Sequence, residues 1–163
     1  MLAGEYWMGL YYLNRGDLPL ACLEHMQHFF RDAATASGHP APKLMMTDPY
    51  GIFGIFKAQP MQPEHAEWLA ACRKLAEKGD MDAVTALYTV TDLPEAELRR
   101  YLAPLEKKAA SGDQDALSQL AFIKVDWLKE NPANVIETLK QYRKNAKPVL
   151  LARIGELALA LDG

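Results

Sequence analysis

The sequence predicts an all-α protein, a solenoid of stacked antiparallel helix pairs with a Pro/Gly-rich irregular insertion after the first pair. Three observations lead there. Two stretches repeat 33 residues apart. One is Lys74-Leu75-Ala76-Glu77-Lys78-Gly79-Asp80-Met81-Asp82-Ala83, with Leu87 beyond it. The other is Lys107-Lys108-Ala109-Ala110-Ser111-Gly112-Asp113-Gln114-Asp115-Ala116, with Leu120 beyond it. A period in the thirties, written in helix-forming residues, marks stacked helical hairpins. Apolar residues also recur near helical spacing, as at Leu20, Leu23, Met26, Phe29 and Phe30. Finally, glycines and prolines punctuate these segments at positions suited to helix ends and starts.

The elements follow in order. A first helix spans about 3–14 and breaks at Arg15-Gly16-Asp17. Pro19 suits the first turn of a second helix, about 18–35, where its missing N–H costs no bond. Residues 37–62 hold Pro40, Pro42, Pro49 and Pro60 with Gly38, Gly51 and Gly54, a density that argues against a long regular helix. The run Tyr50-Gly51-Ile52-Phe53-Gly54-Ile55-Phe56 is too apolar for a solvated linker. This segment reads as an ordered excursion packed on the solenoid, with one short helix near 50–56. Pro63 starts a helix that stops at Gly79. Asp80 or Asp82 caps the next, which runs to about Val90. A helix after Pro94 reaches Ser111, and Asp113 opens one to about Lys129. Asn131-Pro132 begins a helix to about Lys144, and Lys147-Pro148 begins the last, to about Leu161. The chain reads as one helical-repeat domain over 1–163: a first hairpin (1–36), the excursion (37–62) and about three helix-pair repeats (63–163).

Composition narrows the function classes. Half of the 163 residues are hydrophobic (50%), which argues against disorder. The net charge of −3, from 18 basic and 21 acidic residues, gives no electrostatic footprint for nucleic acid and no polybasic membrane patch. No apolar run approaches the roughly 20 residues of a membrane span. The start of the chain lacks a basic segment, and Glu5, Asn14, Arg15 and Asp17 interrupt its apolar stretch. No signal peptide is read, and a cytoplasmic location is expected; a periplasmic one follows if a leader has been removed. Cys22 and Cys72 fall inside helices and read as buried thiols of a reducing compartment.

The repeats resemble the tetratricopeptide superfamily, more closely its Sel-one-like branch. Lys74 to Gly79 and Lys107 to Gly112 match the run that ends the family's second helix. Asp82-Ala83 with Leu87, and Asp115-Ala116 with Leu120, match the opening of its first helix. Gly4, Tyr6, Met8-Gly9, Tyr12 and Gly16 look like a further first helix and turn, and Ala146, Leu150 and Ile154 like a worn copy. Tyr88 and Ala121 depart from the family's glycine, and Thr91 and Lys124 from its later tyrosine. The resemblance implies a right-handed α-solenoid whose first helices line a concave groove. Groove sites would then be Tyr6, Leu10 and Asn14; Thr85, Thr89 and Asp92; and Ser118, Phe122 and Asp126. That mixture of aromatic, hydroxyl and acidic groups suits a peptide or helix of some basic character.

Catalytic motifs are absent. There is no Gly-x-Ser-x-Gly, no phosphate-cradling glycine loop and no His-Glu-x-x-His. Cys22, His25 and His28 lie at i, i+3, i+6 on one helix, within about 120° of each other. Thiolate and imidazole are zinc ligands. The outer two stand nearly two turns apart and no second cluster joins them, so they form only a weak metal candidate; no metal and no cofactor are expected. Glu64 and Glu67, beside His65 and Trp68, read as first-turn acids that favour the helix dipole. His39 reads as a solvated loop residue, and Lys107, Lys108, Lys140, Lys144 and Lys147 as solvated helix faces.

Two surfaces therefore compete for a partner: the groove, and the apolar run with Tyr50, Phe53 and Phe56, which marks an interface if exposed. Burial of that run against the solenoid is the favoured reading. The function expected is a non-enzymatic interaction module that binds a protein or peptide, with no nucleic acid and no membrane span. Nothing in the sequence sets an oligomeric state. A bacterial immunity or antitoxin-type protein that occludes a toxin is one alternative. An assembly factor of an envelope or secretion pathway is another, and a metal-dependent enzyme using Cys22, His25 and His28 a third.

Overall fold

Glycine at a left-handed position followed by aspartate is the local rule that shapes this chain, and it operates twice. The structure, a computed structural model, describes residues 20–47 and 63–162. These fold as eight α-helices and one short 3₁₀ turn, with no strand among the described residues: α1 (Leu20–Ser37), α2 (Pro40–Thr47), α3 (Pro63–Ala76), α4 (Met81–Val90), α5 (Glu95–Ala110), α6 (Gln114–Asp126), α7 (Pro132–Lys140), the turn Arg143–Asn145 and α8 (Pro148–Asp162). The described residues are all-α. The helix expected over 3–14 and the short helix near 50–56 lie outside the described residues. Among the described residues no helix is long and apolar enough to cross a membrane.

The two turns match bond for bond. Gly79 has φ 82° and Gly112 φ 87°, values that side chains disfavour. The Gly79 N–H donates to the Ala76 carbonyl (2.9 Å) and the Asp80 N–H to Leu75 (3.1 Å). Gly112 donates to Ala109 (2.9 Å) and Asp113 to Lys108 (3.2 Å). This is the Schellman pattern, which satisfies carbonyls that a helix end leaves open. Each aspartate then caps the next helix: Asp80 accepts the Ala83 N–H (2.9 Å), and Asp113 accepts those of Asp115 and Ala116 (3.0 Å each). A Cβ added at Gly112 would meet nothing within 4 Å. Gly112→Ala therefore costs only backbone strain. It is expected to destabilise by about 1–2 kcal/mol, read as a lowered urea midpoint, with Gly112→Asn costing less.

The chain divides into two compact units, Met1–Tyr101 and Leu102–Gly163, with the boundary inside α5. In the first unit α2 packs against α1, α3 and α4, and α3 against α4. Proline density alone predicts no helix over 40–47, yet one forms. Pro40 and Pro42 fall in its first turn, where backbone N–H groups have no intrahelical acceptor, so neither ring breaks a bond. Ala41, Pro42, Leu44 and Met45 are buried, as are Phe30 and Ala33 of α1, Cys72 and Ala76 of α3, and Val84, Leu87 and Val90 of α4, the helices that pack on α2. Part of the supposed excursion is thus the middle of the core.

Polar groups tie α5 to α3 in the same unit. The buried Tyr101 hydroxyl donates to Glu97 Oε1 (2.5 Å), and Arg73 Nε approaches the same oxygen (3.7 Å). Arg100 reaches Glu77 (3.6 Å) and lies over the Tyr101 ring at 5.2 Å. Pro104 stands inside α5, which continues to Ala110 although the Arg100 carbonyl loses its backbone donor.

In the second unit α8 packs along α6 and α7. Its core comprises Leu102, Leu105, Ala109, Leu117, Leu120, Ile123, Val135, Leu139, Leu150 and Leu157. Helix α6 ends at Asp126, short of the expected Lys129, because Lys129 adopts φ 56° and the Glu130 N–H turns back to the Lys124 carbonyl (2.8 Å). The next helix ends at Lys140 and tightens into the 3₁₀ turn. No Gly-Asp pair closes this connection. Instead the Gln114 side chain donates to the Asn145 carbonyl (2.9 Å) and accepts the Lys147 N–H (2.5 Å).

Candidate functional site

The expected groove residues are partly spent on packing. Thr85 and Thr89 lie one turn apart on α4, half-buried. The Thr85 hydroxyl donates to the Met81 carbonyl and the Thr89 hydroxyl to Thr85, both at 2.7 Å, so each offers a ligand only its acceptor lone pairs. Asp92 is exposed just beyond the same helix. Tyr6, Leu10 and Asn14 lie outside the described residues, as do Tyr50, Phe53 and Phe56.

On α6 the expected face is largely covered. Ser118 is buried and its hydroxyl points to the Val149 carbonyl at the start of α8 (3.4 Å). It does not face an open groove, because α8 lies along α6 and occupies that side. Phe122 is half-buried. Its ring meets the edge of Trp127 at 6.3 Å, and the Arg153 guanidinium sits 5.1 Å above it, a cation–π distance. Arg153 also pairs with Glu156 (2.5 Å), while its buried Nε has no partner among the described residues. Asp126 is exposed, and its backbone carbonyl accepts Lys129 Nζ (2.6 Å). Helix α8 exposes Val149, Leu151, Leu159 and Leu161 around much of its circumference, with Leu159 the most open at 73%.

The metal candidate is only partly visible. His28 is exposed, with Nε2 3.3 Å from Asp32 Oδ2. The side chains of Cys22 and His25 are outside what the structure describes. Among the described residues no group of three or more His, Cys, Asp or Glu side chains is placed to hold a metal ion. His65 is buried, 5.7 Å from the Trp68 ring, with Glu64 and Glu67 exposed.

His39 is a structural residue and not the solvated loop histidine its Gly-His-Pro setting predicts. Its Nδ1 accepts the Ala41 N–H (3.1 Å) and so caps α2. That acceptor role puts the proton on Nε2, which faces Asp80 Oδ2 at 3.3 Å. One carboxylate therefore caps α4 with Oδ1 and anchors the cap of α2 with Oδ2. Asp80→Ala removes both bonds and is expected to cost about 2 kcal/mol, against about 1 for Asp113→Ala, which removes a cap alone. Urea titration of the two variants checks the difference.

Two cavities stand out. A cleft of about 110 Å³ between α6 and α7 is lined by Leu117, Leu120, Val135 and Leu139 with Lys124 and Glu130 at its edge. That is below the range of small-molecule sites, about 300–1,000 Å³. A groove of about 390 Å³ in the first unit lies among α1, α2 and α3. Sequence spacing does not signal it, since its lining comes from three helices. No protein-family model, curated protein or solved structure matches the chain.

Proposed function

We propose that this chain is a non-enzymatic interaction module, a Sel-one-like stack of helical hairpins that holds a peptide or protein partner. The observation that carries this reading is the pair of matching turns at Gly79-Asp80 and Gly112-Asp113. The same Schellman closure and the same aspartate cap recur 33 residues apart, as stacked hairpins require. Such scaffolds bury one helix face and leave the other for partners. The exposed leucines of α8 support a partner-binding role. The faces that carry Asp92 in the first unit and Asp126 in the second favour a partner with basic groups.

Affinity capture of the tagged full chain from its source cell tests this. A partner that is held by the wild type and lost with Thr89→Ala, Asp92→Lys, Phe122→Ala or Asp126→Lys supports it. If every captured protein survives all four changes, the assignment of these faces fails.

A further inference from the structure

The groove among α1, α2 and α3 combines an apolar lining with two basic residues. Arg31, Ala34 and Thr35 line one side from successive turns of α1. Lys43 and Met46 line another from α2, and Trp68 closes it from α3. Trp68 is half-buried and Met46 is 37% exposed, so among the described residues part of this apolar lining is accessible. Arg31 and Lys43 contribute mainly their aliphatic stems to the lining, and no carboxylate of the described residues is part of it. Among the described residues neither Arg31 nor Lys43 has an acidic partner, although ten described ion pairs occupy other basic groups. The two cations run against the chain's overall charge of −3. Glu64 and Glu67, on the same helix as Trp68, are not part of the lining.

We propose that this groove binds an acidic peptide segment carrying one large apolar side chain. The apolar side chain lies against Trp68, Met46 and Ala34, and flanking carboxylates meet Arg31 and Lys43. Arg31 offers a planar fork of donors suited to a carboxylate, and Lys43 a compact charge. An open groove of about 390 Å³ has room for one large side chain with its backbone. Two cations on an acidic protein give little attraction to an anionic membrane, where each basic group contributes about 1 kcal/mol. This site is separate from the faces of α4 and α6, and its preferred charge is the opposite of theirs, so either reading can fail alone.

The test uses the full chain and a fluorescein-labelled hexapeptide, Asp-Glu-Leu-Phe-Asp-Glu, followed by fluorescence anisotropy. The counterpart Lys-Lys-Leu-Phe-Lys-Lys is the control, and phosphatidylserine vesicles are a separate arm. The acidic peptide is expected to bind, to weaken as salt is raised, and to lose about tenfold in affinity for each of Arg31→Glu and Lys43→Glu. Arg31→Gln and Lys43→Gln, which remove the charge without reversing it, should each show a smaller loss and unchanged thermal melting. Equal binding of both peptides, undiminished binding by the charge-reversed variants, or no binding at millimolar concentration overturns the proposal. So does binding to vesicles without binding to the peptide.

Discussion

Leu44→Ala is expected to lower the unfolding free energy by about 2–5 kcal/mol, the range for leucine truncation in a closed core. Leu44 is fully buried on α2, the helix that α1, α3 and α4 surround. The lost methyl groups leave a cavity that three packed helices cannot collapse into without shifting. Met46, two residues on, points from the other side of the same helix and is 37% exposed. Met46→Ala should cost less than about 1 kcal/mol. Urea denaturation followed by circular dichroism measures both. If the two variants unfold at the same urea concentration, α2 does not hold the central place described here.

Raising the pH from 9 toward 12 should destabilise the protein steadily. Burial first, and the Asp80 carboxylate second, push the Cys72 thiol up from 9.0 to about 12. The unfolded chain has no such environment, so its thiol ionises near the ordinary value. Between these two values the unfolded state has released a proton that the folded state retains. Stability therefore falls as pH rises, by up to about 1.4 kcal/mol per pH unit, and the contribution is fully present below pH 9. Tyr101 acts in the same direction, since burial and its bond to Glu97 raise its pKa. Urea midpoints at pH 8, 9.5 and 10.5 measure the slope. Cys72→Ala should flatten it, and an unchanged slope in that variant would remove Cys72 as its cause.

The parts of this fold that are legible in sequence are those whose causes are local. Gly79 and Gly112 announce their turns because the left-handed position and the following aspartate need no distant partner. Helix α2 is not legible by counting prolines, since what matters is that Pro40 and Pro42 occupy the first turn. His39 could not be placed because its partner Asp80 is 41 residues away. Ser118 shows a further limit: helical spacing assigns it to a face, but only the return of α8 decides that the face is closed. The groove at Trp68 is invisible for a similar reason, since no single helix contributes enough of it to make a pattern.

The place of α2 also governs how the first unit can assemble. An eight-residue helix is too short to persist alone in water, where even favourable sequences need about 12–15 residues. Yet α1, α3 and α4 all close upon it. The matching turns of the chain invite a hairpin-by-hairpin order of folding, in which each repeat adds to the last. Here the centre cannot form before its surroundings, and of the three surrounding helices only α3 and α4 pack on each other without it. Helix α1 therefore depends on α2 for its place in the unit, and the loss of α2 should be felt in α1, α3 and α4 together.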